Sequence, residues 1–420
     1  MQRSVAFISC VGKVNYPRTL LFLKTSLEMG CSVITIMPGA ISDTSLESQV
    51  THITLPSPKR NFWYDSNLLY IILAIIQRVW ISLLLLRKLL FLKPAICLCS
   101  EPDAWLVAII TKKLVGCKVV VDLREVYEDR GLAFPRTMQR SVQRLLRSLM
   151  KSLSKYTDEV IHVSEERKRI YGYLNKEGVV IGNYPEISSF RLDSCDIHAK
   201  AAPESIIAIH AGALRASYAA EQLLDAMKLV AEVIPNVKFI ALGGVAGSLS
   251  NMNLVAALSK AGILELAEQI PPSGVARWLA ISDIGISLVL PIDRSHFLAA
   301  PQKLYEYLAM GLPVVGANVP TIQKVLVEND CGLVVDPTSP TEIASAIIRL
   351  AQDEDLRNKM SENGRRAAET RFNWENEASI LRAVFQSLAC NSSLDKPVDP
   401  GHKSRQEVVL YQSNFRDGSE

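Results

Sequence analysis

In residues 291–320, PIDRSHFLAAPQKLYEYLAMGLPVVGANVP, a loop leads into a helix expected to begin at Pro301 or Gln302. Proline suits a helix start, where its missing N–H would have had no intrahelical partner anyway. The unpaired amides and the helix dipole at such a start attract anions. Lys303 and Glu306 follow, three residues apart on one face. A cation for a phosphate beside a carboxylate for a ribose diol would suit a nucleotide. The same spacing also describes an ordinary exposed Lys–Glu pair, and the residues alone leave both open. His296, in the loop, could touch a sugar or be solvated.

The elements around this loop must place it. Short β-branched runs alternate with helical patterns, at residues 4–9, 31–37, 95–99, 118–122 and 159–163, then at 206–210, 238–242, 284–287, 313–316 and 332–335. That alternation predicts an α/β fold with parallel sheets covered on both faces. Two doubly wound, Rossmann-like domains are expected over 1–185 and 206–370, joined by a Pro/Ser-containing linker over 186–205. A further helix over 371–390 and a tail over 391–420, expected to be disordered, complete the chain. In such sheets ligands sit at the carboxyl ends of strands, so tandem domains would hold them in an interdomain cleft. At such ends stand Asp122, Glu101, Asp103, Gly243 and Gly244; each also has a plain reading as a helix cap or turn residue.

Composition bounds the function. The 420 residues are 49% hydrophobic and 21% charged, which suits buried cores rather than disorder. Lys+Arg 46 against Asp+Glu 43 gives net +3, too balanced for a whole-protein nucleic-acid binder. Eight cysteines are too few for a disulfide scaffold, and Cys97-x-Cys99 lacks the second ligand pair of a zinc site. The start, MQRSVAFISCVGKVNYPR, does not read as a signal peptide.

The segment 301–315, PQKLYEYLAMGLPVV, resembles the donor-site motif of glycosyltransferase family 4, retaining enzymes of the GT-B fold that use sugar nucleotides. IIAIHAGAL (206–214), PNVKFIALGG (235–244) and VARWLAISDIGISL (275–288) resemble that family's donor domain, and RFNWENEASIL (371–381) its helix crossing back to the first domain. DLREVYED (122–129), VIGNYP (180–185) and YPRTLLFLKTSLEMGCSVITI (16–36) resemble segments of its acceptor domain. The P-x-K-x-x-E-Y pattern resembles that of a subset of the family.

The resemblance implies transfer of a hexose-type sugar from a nucleotide-sugar donor to a carbohydrate or lipid-linked acceptor, in polysaccharide or lipopolysaccharide assembly. It implies Glu306 on the ribose, and Lys303 with amides around Gln302 and Leu304 on the diphosphate. Gly212 would allow close backbone approach, with Gly243 beside it and the base near residues 270–274. The family's usual glutamate eight residues before Glu306 is Leu298 here, and two usual basic positions are Ala213 and Tyr218. Arg215 is the replacement cation nominated. Arg124 stands where the family often has histidine, and Glu125 keeps its acidic position. No cofactor and no metal are expected. A sugar-nucleotide epimerase on the same fold, or a non-catalytic partner subunit, are the alternatives.

Two segments bear on a membrane. Arg136, Arg140, Arg144, Arg147, Lys151 and Lys155 form one basic stripe on a helix, opposite Met138, Val142, Leu145, Leu149 and Leu153. Over 136–155 it could dock on anionic lipid or be plainly solvated. The apolar run 68–86 reads as a core or groove helix, an interfacial helix or a span, with Asn67, Ala74, Arg78 and Ser82 on one face. A cytoplasmic protein, peripheral on the membrane's cytoplasmic face, is expected.

Overall fold

A computed structural model of the chain describes residues 4–10, 16–41, 43–56, 68–129, 136–191, 205–247, 249–267, 270 and 272–390. The first sheet comprises β1 (Ser4–Ile8), β2 (Ser32–Pro38), β3 (Thr51–Leu55), β4 (Ile96–Cys99), β5 (Lys118–Leu123), β6 (Glu159–His162) and β7 (Val179–Val180). The second comprises β8 (Ile206–Ala211), β9 (Val237–Leu242), β10 (Leu264–Ala267), β11 (Ile284–Ser287), β12 (Val314–Ala317) and β13 (Gly332–Val335). Their orders are β3-β2-β1-β4-β5-β6-β7 and β10-β9-β8-β11-β12-β13, parallel throughout. Both share the Rossmann order, which reverses beside the first strand and opens a ligand crevice there. Central strands such as VVVDL and IIAIHA are buried on both faces, as parallel sheets require.

Three strands escaped the sequence pattern: β3, β7 and β10. All are sheet edges. THITL is exposed at Thr51 and Thr54, Glu265 and Leu266 of β10 are exposed, and β7 has two residues, so none carries a full apolar run. The expected linker begins as a short 3-10 turn, Ile187–Phe190, packed on the second domain's core; most of the rest, and the tail, lie outside the described residues.

The C-terminal helix Trp374–Cys390 does cross back. It shares a core with helix Pro17–Glu28 on one face of the first sheet, where the Trp374 ring lies 5.3 Å from Phe22 and its indole N–H donates to Thr25 Oγ1 at 3.0 Å. The other face carries helices Leu68–Leu92, Pro102–Val115 and Arg136–Ser154. Leu68–Leu92 buries Ile81, Leu85 and Leu89 and turns Ile76, Val79 and Leu83 to solvent. Among the described residues no helix is long and apolar enough to cross a membrane.

Helix Arg136–Ser154 corrects one expectation. Leu145 is 69% exposed rather than packed, because the inward face runs through Leu149, Met150 and Leu153. The side chains of Arg136 and Met138 lie outside the described residues; Arg140, Arg144, Arg147, Lys151 and Lys155 are exposed. The Arg147 guanidinium also sits 4.2 Å from the Tyr173 ring. Cys10, Cys31, Cys97, Cys99, Cys117 and Cys331 are free and buried.

Candidate functional site

Helix Gln302–Met310 starts where the sequence placed it, with Pro301 before it and Gly311 in the left-handed conformation ending it. Tyr307 fixes its position. The Tyr307 hydroxyl accepts from Ala211 N–H at 2.8 Å and donates to the Ile286 carbonyl at 3.2 Å, pinning the helix to the carboxyl ends of β8 and β11. Gly285 makes room, since a Cβ there would stand 2.5 Å from the Tyr307 ring.

Lys303 then reaches across the end of β8. Its Nζ is 3.2 Å from His210 Nε2, 4.9 Å from the Tyr218 ring centroid, and 3.9 Å from where a Cβ on Gly212 would be. Gly212, at φ +130, leaves the space above Lys303 open. Gly243, at φ +110, lies against Ala213, which a Cβ would approach to 3.1 Å. His210 is buried, and burial with the neighbouring ammonium drives its pKa well below the usual histidine value. The ring is therefore neutral, and Nε2 accepts from Lys303.

Burial also pulls the Lys303 pKa down to about 7, against a smaller upward pull from Glu306. Burial raises the Glu306 carboxyl to about 7, opposed by Lys303 and by a hydrogen bond with Gln302. A half-desolvated cation and carboxylate at a helix start are arranged for an anion carrying hydroxyls. Leu304 departs from its expected role: its side chain is in the core and its N–H bonds to the Pro301 carbonyl at 3.1 Å, leaving the anion site to the Gln302 and Lys303 amides. Arg215 is exposed, near enough to Tyr218 to act on its hydroxyl, and His296 Nδ1–H donates to Asp293 Oδ1 at 2.8 Å with its ring 6.4 Å from Tyr218. The expected base-contact stretch, 270–274, lies partly outside the described residues.

The first domain faces this helix. Asp122, at the end of β5, is not a turn cap: it is fully buried between two guanidiniums, Arg18 Nη2 at 2.8 Å and Arg124 Nε at 2.6 Å. Arg124 thus pairs with Asp122, and its Nη1 donates to Thr19 Oγ1 at 3.0 Å. Arg124 lines a small hollow with Ser9, Thr19 and Ser100 at the strand ends. The Glu125 carboxylate is close enough to act on Arg167 and Tyr218, so it faces the cleft. Glu101 precedes helix Pro102–Val115 without capping it and is buried, while Asp103 pairs with Arg78 at 3.1 Å.

Two arginines that the motif reading passed over join the halves. Arg18 also donates to the carbonyls of Ile181 and Gly182 and to Asn183 Oδ1, and Asn183 Nδ2 donates to the Ala300 carbonyl at 3.2 Å. Arg167, buried, donates to the carbonyls of Leu298 and Ser295, both at 3.2 Å. The loop before Gln302 is therefore held by the first domain through main-chain oxygens. Leu298, at the position of the family's missing glutamate, is a buried side chain whose carbonyl is gripped. For Arg18 the sequence signal was its place just after Pro17; Arg167 had none.

Two tandem domains, each built on a parallel sheet of Rossmann order, define the GT-B fold. Residues 196–367, most of the second domain, match the model of the family described as glycosyl transferases group 1. Among solved structures, sucrose-phosphate synthase from Thermosynechococcus elongatus superposes with TM-score 0.67 over 93% of this chain and 100% of its own, at 15% identity. An Anabaena protein, Alr3699/HepE, solved with UDP and glucose, does so with TM-score 0.67 over 92% and 100%, at 15% identity. The D-inositol 3-phosphate glycosyltransferase of Jonesia denitrificans is 24% identical over 202 residues, 46% of each chain. The chain spans less than half the length of the curated relatives it matches.

Proposed function

We propose that the protein transfers a hexose-type sugar, with retention at the anomeric carbon, from a nucleotide-sugar donor to a carbohydrate or lipid-linked acceptor. Polysaccharide or lipopolysaccharide assembly is the setting that fits such an acceptor. The observation that carries the reading is Lys303 Nζ held over Gly212 at the start of helix Gln302–Met310, three residues from Glu306. In the transfer, the bond between the anomeric carbon and the diphosphate oxygen breaks. A bond to the acceptor oxygen forms, and the acceptor proton leaves with the nucleoside diphosphate. Charge builds on the diphosphate, where Lys303 and the Gln302 and Lys303 amides meet it. Glu306 accepts from the ribose hydroxyls. This charge control requires no resident metal. Glu125 and Arg124 face the acceptor side, and Arg215, His296 and Gly243 border the donor. Relatives and fold neighbours whose names include glycosyltransferase activity, or complexes with UDP and glucose, support the reading. The same proposal places the protein on the cytoplasmic face of a membrane, with the exposed arginines and lysines of 136–155 against anionic headgroups.

The experiment is thermal denaturation against a panel of nucleotide sugars. One donor class at 100 times its dissociation constant is expected to add about 2.7 kcal/mol of stability. No shift with any nucleotide sugar would overturn the reading and favour a non-catalytic partner subunit.

A further inference from the structure

Helix Leu68–Leu92 is amphipathic the wrong way round for a soluble surface. Two of its polar residues point into the protein: Arg78 pairs with Asp103 at 3.1 Å, and Ser82 Oγ lies 3.9 Å from the buried Cys10 Sγ, while Arg87 and Lys88, beyond the stripe, are exposed. Its outward stripe is apolar. Ile72, Ile76, Val79, Trp80 and Leu83 fall along one face at helical spacing, with Ile76 59%, Trp80 50% and Leu83 59% exposed. Scattered exposed apolar residues are ordinary, but a contiguous stripe marks a contact surface.

The charge around it says what the contact is. Helices Leu68–Leu92, Pro102–Val115 and Arg136–Ser154 pack on one face of the first sheet, so their outer sides form one surface of the domain. Their sequences hold a single acid, Asp103, which is paired inward with Arg78. Their exposed charges are all basic, among them Arg87, Lys113, Arg140 and Arg144. A surface with an apolar stripe, an outward tryptophan and cations without acids complements an anionic bilayer, whose headgroups take the cations and whose acyl boundary takes the stripe. From Ile72 to Leu83 the stripe runs roughly 16 Å, too short to span a bilayer and suited to lying in its interface.

We propose that the Ile72–Leu83 stripe of helix Leu68–Leu92 inserts into the interface of an anionic phospholipid bilayer. This goes beyond the sugar-transfer reading, and beyond purely electrostatic docking through 136–155. It requires only the surface of the first domain.

The test is flotation of the full chain with phosphatidylcholine vesicles, with and without phosphatidylglycerol, for the native protein and for the triple substitution Ile76→Asp, Val79→Asp, Leu83→Asp. These side chains face solvent, so the melting temperature and the shift caused by nucleotide sugar stay as in the native chain, and failure of the donor reading shows up separately. The native protein is expected to bind the anionic vesicles, retain part of that binding at raised salt, and show quenching by brominated lipid that Trp80→Phe removes. The triple variant is expected to lose more than about 100-fold in affinity, since each side chain forfeits most of the gain from leaving water. Arg140→Glu with Arg144→Glu is expected to weaken binding only at low salt. Equal binding by the native and triple-variant proteins would overturn the proposal. So would native binding that salt abolishes entirely. A native dimer in the absence of vesicles, dissociated by the triple substitution, together with no flotation, would overturn it in favour of a second copy of the chain.

Discussion

Lys303→Ala is expected to lower turnover by roughly 100- to 1,000-fold with a smaller change in donor affinity, because the ammonium matters most when charge develops on the leaving diphosphate. The fold should survive: Lys303 is half-buried, and His210, its partner at 3.2 Å, is already neutral in the core. A pH signature accompanies the loss. With its pKa near 7 in the unliganded protein, Lys303 is largely uncharged at pH 8 to 9. A bound diphosphate favours the ammonium, so binding takes up a proton, and donor affinity falls as pH rises from 7 to 9 in the native protein. The groups around it are His210, held neutral, Tyr218, whose pKa is raised, and Glu306, ionised above about 7, so none adds a cation there. In Lys303→Ala that fall disappears, leaving only the opposite trend from ionisation of Glu306. Steady-state kinetics and calorimetry across this range check both statements; unchanged turnover would remove Lys303 from the site.

The second large effect is on stability. Asp122→Asn leaves Arg18 and Arg124 facing a neutral amide, with Arg18 only 5% exposed. Breaking one side of a buried ion pair typically costs about 3–5 kcal/mol. For a domain of this size that corresponds to a melting temperature lower by roughly 10 °C. Burial alone would raise the Asp122 carboxyl, but the two guanidiniums outweigh it and hold the folded-state pKa below the ordinary value. A carboxyl with a depressed folded pKa contributes stability that is fully present above its unfolded value near 4 and is lost as pH falls through the folded value. Asp122→Asn should therefore lose the native protein's acid-side decline in stability below about pH 4 that belongs to this group. Denaturant titrations at pH 7 and pH 3 measure it; a cost under about 1 kcal/mol at pH 7 would mean the pair is not buried as described.

The central strands and the helix at Gln302 were legible in the sequence because their signals are local. A β-branched run names a buried parallel strand, and Pro301 followed by Lys303 and Glu306 marks a helix start with a cation and a carboxylate. Three of the four edge strands were not legible, because half their surface faces solvent and the apolar run is diluted, as in LELA of β10, whereas the edge strand β13 kept the run GLVV. Arg167 and His210 were not legible because what makes them functional is a partner far along the chain: Leu298 for Arg167, Lys303 for His210. Arg124 was legible as an oddity but not in its pairing, because Asp122 two residues earlier on the strand ranked as a turn cap, and the strand end instead buries Asp122 between Arg124 and Arg18. The helix 68–92 was legible as apolar. Which side it turns outward is decided by Arg78 meeting Asp103, and no periodicity reports that.

The donor site is tested most directly by calorimetric titration of nucleoside diphosphates, one base at a time, into the native protein and into Glu306→Gln. This substitution keeps the side-chain shape and removes the charge that accepts from the ribose diol. The native protein is expected to bind at least one nucleoside diphosphate, and Glu306→Gln to bind it about 10- to 100-fold more weakly at pH 8, with an unchanged melting temperature in the absence of nucleotide. Identical affinities for the two proteins, or no binding of any nucleoside diphosphate by the native chain, would contradict the assignment of helix Gln302–Met310 as the place where the donor is held.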